Sequence, residues 1–322
     1  MAKGFSAEAD VRTFNLFAAL NAGGYDFESN RDGMHPIRLA VREALKGIDS
    51  PSARGLAEIA AKAHQSILVV WAMNHDAEDP YLQTGIDVEE YYRRQFPEDD
   101  PRFDFMKPLF ARIPELLTAA RTELPLRELW EQYRPAHERE AELCREPGAR
   151  QAAELEAYLR PKAAPAWSLI VVPCFPDSYY CGYSVDAGSA TYVVQGPLGR
   201  PGSVAVTHEY AHRFVNPIVE AQESLLSETA SLLAKYADRS DPMHAPYYHW
   251  PVFVSENLVE AVSLRSGSRS PEDYTKLLKH MTDVRHMTLV ERFLEPLSRF
   301  EKSGQHYEDF FPGMLEEVLR SL

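Results

Sequence analysis

Between Ser203 and Pro217 the chain reads SVAVTHEYAHRFVNP, and no other stretch restricts its possible folds as much. His208 and His212 stand four residues apart, which puts both imidazoles on one face of an α-helix. Val204, Val206, Ala211, Phe214 and Val215 around them are apolar or small, so this helix belongs in a core. Ser203 after Gly202 can cap its start, and Asn216-Pro217 can end it. A core helix carrying two histidines and Glu209 must give these groups partners, because an unsatisfied buried polar group is costly. The His-Glu-x-x-His spacing fits a zinc ion as that partner. Both imidazoles reach one ion, and the glutamate beside the first reaches a water at the metal, where it can serve as general base.

A catalytic zinc site takes three protein ligands and keeps one position open. A third histidine shortly after a glycine, the metzincin arrangement, is missing from HEYAHRFVNPIVE. The other solution is a glutamate from a separate helix, often with an acid four residues later that orients a ligand histidine. WPVFVSENLVEAVSLRSG supplies it. Pro251 starts a helix, Gly267 ends it, and Glu256 and Glu260 are the acids of an otherwise apolar, small and polar stretch, on one face. Burial of such acids demands partners, so Glu256 is expected as the third ligand and Glu260 as the residue that orients a ligand histidine. The rivals are weaker. Glu228, in ESLLSETASLLAKY, sits beside Glu220 and Glu223 on a helix that reads as amphipathic. Glu291 and Glu295 repeat the spacing among charges, with Pro296 following.

The rest of the chain limits the alternatives. A formal net charge of −14 over 322 residues argues against a nucleic-acid partner, which calls for a basic surface. Hydrophobic residues at 45% and charged residues at 25% describe an ordinary globular chain. No apolar run approaches a membrane span, and FNLFAAL near the N-terminus is too short for a signal-peptide core. Cys144, Cys174 and Cys181 form no Cys-x-x-Cys pair and read as free buried thiols. A cytoplasmic protein without membrane contact is the expectation. GYSVD lacks the second glycine of a nucleophile turn, and no phosphate-binding glycine loop occurs.

Along the chain, helices come first. SPSARGLAEIAAKAHQSILVVWAMN has Ser50 as N-cap, Pro51 at the first helical position, and Leu56, Ile59, Ala60, Ala63, Ile67 and Val70 at helical spacing. Further helices are expected in LFARIPELLTAARTEL and LRELWEQYRPAHEREAELCREP, with Pro135 as a break or kink, and a last one closes in ARQAAELEAYLRPKAAPAW. WSLIVVPCF then reads as a buried strand, and YYCGYSV and ATYVVQG as a hairpin joined through DAGS. The expected architecture is α+β and mainly helical, with a small mixed sheet. Its expected division is a helical region at 1–160 and a region at 161–322 holding the sheet, the His-Glu-x-x-His helix and the C-terminal helices.

HEYAH followed by the SENLVEA helix resembles the gluzincin group of zinc metallopeptidases. More narrowly, VTHEYAHRFVNP with ENLVEAV resembles the bacterial domain of unknown function 4932, whose members are regarded as zinc peptidases. The resemblance implies that His208, His212 and Glu256 bind one zinc ion, that Glu209 is the base, and that a peptide or protein is the substrate. It also implies that the ATYVVQG strand lines the cleft, where an edge strand could hold an extended peptide; an interior strand is the other reading. Gluzincins commonly carry Asp where this chain has Glu260. A donor to the oxyanion is open among Tyr247, Tyr248, His249, His306 and Tyr307. The competing function is a non-catalytic, metal-binding or pseudo-peptidase binding protein.

Overall fold

The computed structural model describes residues 4–25, 33–95, 101–237, 249–267 and 270–322. It is mainly helical with one small mixed sheet, as expected for the α+β class. The chain forms two units, one of Gly4–Gly148 with Trp167–Ala205, the other of Ala149–Ala166 with Val206–Leu322. The sheet therefore belongs with the N-terminal helices and not, as the division at residue 160 had it, with the His-Glu-x-x-His helix.

The first unit begins with strand β1 (Gly4–Ala7), which the sequence reading did not foresee. Helices α1 (Val11–Ala22), α2 (Pro36–Leu45), α3 (Pro51–Ala63), α4 (Gln65–Asn74), α5 (Val88–Gln95) and α6 (Pro101–Glu123) follow. Ser50 caps α3 as expected, its hydroxyl accepting from the Ala53 N–H at 3.0 Å. The helical spacing beyond it does not make one helix. His64 adopts φ = 68°, ends α3, and caps α4 by accepting from the Ser66 N–H at 3.3 Å. Helix α7 (Leu126–Leu159) is instead continuous, running through Pro135, read as a break or kink, and through Pro147. Its buried residues Leu126, Leu129, His137, Ala141, Cys144, Ala152, Leu155 and Leu159 recur every three to eight residues along one face. Packing of that continuous face outweighs the backbone hydrogen bond each proline removes. Where α7 passes Phe5 the residue is Gly148, because a Cβ there would collide with the Phe5 ring.

Strands β2 (Ser168–Pro173), β3 (Gly182–Ala187) and β4 (Ala190–Gln195) complete the sheet, in the order β1-β2-β4-β3. β1 and β4 both run parallel to β2, and β3 and β4 form the antiparallel hairpin. The ATYVVQG strand is thus interior, with its backbone groups paired on both sides, and it offers no free edge to a peptide. GYSVD lies within β3, where Asp186 accepts from the Thr191 hydroxyl at 2.8 Å, a structural role. A hydrophobic core of α1, α3, α4 and α6 residues closes over Val172, Tyr183, Val185 and Val194 of the sheet. The three cysteines are buried and unbridged.

The second unit contains α8 (Val206–Glu220), α9 (Glu223–Thr229), the short α10 (Leu233–Tyr236), α11 (Trp250–Ser266), α12 (Pro271–Lys279), α13 (Val290–Ser303) and α14 (Tyr307–Arg320). Helix α11 is apolar nearly all round and packs against α8 and α13. Pro251 and Gly267 bound it as expected. Helix α8 departs from expectation at its end, continuing through Pro217 for another turn because Val215 and Val219 are both fully buried. Its start is tied to α7 by Gln151, which accepts from the Thr207 N–H and hydroxyl at 3.1 Å each. Among the described residues no helix is long and apolar enough to cross a membrane.

His137 gives the first unit a built-in acid sensitivity. Its Nδ1 faces the Tyr133 carbonyl at 3.0 Å and its Nε2 accepts from the Phe175 N–H at 3.3 Å, an arrangement only the neutral ring allows. Burial pushes its pKa from 6.5 down to about 4. Its contribution to stability is present in full above the unfolded value and is lost as pH falls from 6.5 toward 4, amounting to about 3 kcal/mol. Urea unfolding at a series of pH values should show His137→Gln with a shallower loss of stability across that interval; a slope equal to wild type would place the sensitivity elsewhere.

Candidate metal centre

Helices α8 and α11 bring His208, His212 and Glu256 together. His208 Nε2 and His212 Nε2 are 3.3 Å apart, His208 Nε2 and Glu256 Oε1 3.4 Å, and His212 Nε2 and Glu256 Oε2 3.5 Å. Three such donors could hold one metal ion, and among the described residues no other group of histidine, cysteine and acid side chains is arranged this way.

Three carboxylates and two imidazoles in so small a volume set one another's charge. Burial opposes a charge on His208, but the carboxylates of Glu209 and Glu256 outweigh it and raise the imidazole above its ordinary pKa. Burial likewise opposes charge on Glu256, yet His208, His212 and Arg285 hold its carboxyl well below the usual range. Glu209 behaves differently. It is 7% exposed, burial dominates, and its carboxyl is raised despite the two imidazoles. Its Oε1 lies 3.9 Å from His208 Nε2. Of two neighbouring carboxylates, one is therefore kept ionised and the other made more basic.

Around these groups stands a second layer. Glu260 Oε2 lies 3.5 Å from His208 Nδ1, as its position one turn after Glu256 led one to expect. Arg285 pairs with the other Glu260 oxygen and reaches to 3.7 Å of Glu256 Oε1. Sequence reasoning missed Arg285, which is 25 residues beyond Glu260 and related to it by no spacing rule. A π-helical turn at His280–Val284 delivers it, closed by the Arg285 N–H donating to the His280 carbonyl at 3.0 Å. His286 follows at φ = 52°, a left-handed conformation that costs a non-glycine residue about 1–2 kcal/mol. Asn257, fully buried beside Glu256, secures the segment by accepting from the Leu289 N–H at 2.9 Å. Its own amide donates to the Phe253 carbonyl at 2.8 Å. Such irregular turns recur at functional sites.

The remaining candidates fall elsewhere. Glu228 pairs with Arg320 at 3.2 Å on the surface, and Glu295 pairs with Arg299 at 3.2 Å. Tyr247 and Tyr248 lie outside the described residues. His249 is the N-cap residue of α11. His306 Nδ1 is hydrogen-bonded to the Arg160 carbonyl at 2.6 Å, and the Tyr307 ring packs on Phe214 and Phe311. His64 and His75 serve as helix caps. Compared with protein-family models, with curated proteins and with solved structures, the chain matches none.

Elemental analysis of the purified protein should find about one metal ion per chain, with a marked loss in Glu256→Ala. Undiminished metal in that variant would remove Glu256 from the ligand set.

Proposed function

We propose that the protein is a zinc-dependent hydrolase acting on peptides, a metallopeptidase of gluzincin type allied to the domain of unknown function 4932. The observation that carries this reading is the placement of Glu209, a buried carboxylate of raised pKa beside a three-donor His-His-Glu group. Two imidazoles with one carboxylate suit zinc better than magnesium or calcium, which take oxygen ligands, and a set of three protein donors is that of a catalytic rather than a closed structural zinc site. A zinc ion held by His208, His212 and Glu256 would polarise a peptide carbonyl and make water acidic enough to give up a proton near neutral pH.

The chain's own groups supply the rest. A Glu209 oxygen accepts a proton from the attacking water and later passes it to the leaving amine nitrogen. Its raised pKa suits it to hold that proton between the two transfers, and its burial keeps bulk solvent from taking it. Glu260, 3.5 Å from His208 Nδ1, favours a proton on that nitrogen and so leaves the Nε2 lone pair toward the metal position. Arg285 balances Glu260, so that a carboxylate can remain ionised in an apolar setting. The buried, unbridged cysteines accord with work in the reducing cytoplasm.

Glu209→Gln keeps the shape and loses the base. Peptide-library cleavage by this variant is expected to fall by about 10²–10⁴-fold, while its zinc content stays at the wild-type level. Cleavage that survives the change would overturn the mechanism. Zinc bound by a wild type that cleaves nothing would favour the non-catalytic metal-binding protein.

A further inference from the structure

His208 and His212 meet different chemistry at their outer nitrogens. His208 Nδ1 faces the carboxylate of Glu260, and His212 Nδ1 faces the amide oxygen of Asn216 at 3.2 Å. Side chains on a helix lean toward its N-terminus, so a residue four positions on lies back over its predecessor. Asn216 is placed in this way over His212. It does not end α8, which runs on to Glu220. Nor does helix propensity account for it, since asparagine is a poor interior helix former and the following proline disfavours helical backbone at this position. What the residue does provide is a fixed acceptor. An amide oxygen accepts only from Nδ1–H, and that tautomer leaves the His212 Nε2 lone pair facing His208 and Glu256.

We propose that Asn216 is a positioning residue of the metal centre, selecting the His212 tautomer that can ligate; the inference rests on the zinc reading above. Glu209, Glu256 and Glu260 already crowd the centre with carboxylates, and asparagine fixes the ring without adding another. An aspartate in its place would add a charge and make His212 a stronger donor.

The test uses the full-length protein and zinc itself. Zinc affinity is measured by competition with a chromophoric chelator at mildly alkaline pH, and the His212 tautomer by ¹⁵N NMR of the metal-free form. Thermal unfolding of each metal-free variant checks that it is folded. Asn216→Leu is expected to weaken zinc binding about 10–100-fold and to give a mixture of His212 tautomers, whereas Asn216→Asp keeps the Nδ1–H tautomer and binds zinc more tightly than wild type. Wild-type affinity and tautomer in Asn216→Leu would overturn the proposal, as would an Asn216→Asp protein no tighter than Asn216→Leu. If Asn216→Leu does not fold, Asn216→Asp decides alone: zinc binding tighter than wild type with the Nδ1–H tautomer kept supports the role, and unchanged binding overturns it. A wild type that binds no zinc, or zinc kept undiminished by His212→Ala, would instead defeat the zinc reading itself.

Discussion

Three carboxylates buried between apolar helices are the constraint that orders the second unit. Glu209, Glu256 and Glu260 are each nearly or largely removed from water, and an uncompensated buried charge costs several kcal/mol. Every polar neighbour nearby answers that cost. The two imidazoles face Glu256, Arg285 faces Glu260, and Glu209 answers it by an upward shift of its pKa. The irregular backbone from His280 to Leu289 serves the same pairing, bringing the Arg285 guanidinium to the side of α11. Asn257 secures that segment with a hydrogen bond buried at the next position after the ligand glutamate. A helix as apolar as α11 thus carries polar groups where each has a partner, and the partners converge on one point.

The first unit answers to a different physics. Its sheet is small, with parallel pairs on one side and a hairpin on the other, and its core is hydrocarbon packed by α1, α3, α4 and α6. Its buried polar groups serve the backbone: Asn21 donates to the Phe17 and Pro176 carbonyls, and His137 joins a carbonyl and an N–H of separate segments. These tie loops to helices. They do not gather acids and imidazoles about one centre as the second unit does.

Prolines and glutamates were not equally legible in the sequence. Pro135 read as a break or kink and Pro217 as a helix end, since local chemistry disfavours helix there, yet both lie inside helices whose neighbouring residues are buried. Tertiary burial of Ala141, Cys144 and Val219 outweighed a single lost hydrogen bond each time. His64 failed in the reverse direction, breaking a helix that periodicity had joined. Glu256 and Glu260 were legible because the cost of burying a charge is a local property of an apolar stretch. Arg285 was not, because nothing in HMTDVRHMTL marks one arginine as the partner of a distant acid.

The sequence by itself determined the α+β class, the hairpin, the bounds of α11, and a histidine pair that shares one helical face with a glutamate beside it. These follow from periodicity and from the cost of burying polar atoms, which act over a few residues. Only the tertiary structure decided that ATYVVQG is an interior strand, that the sheet joins the N-terminal helices, and that His208, His212 and Glu256 stand within 3.5 Å of one another. Strand order, unit membership and the meeting of Arg285 with Glu260 are contacts between segments far apart along the chain. Their energies depend on what each segment packs against, and no local pattern encodes that.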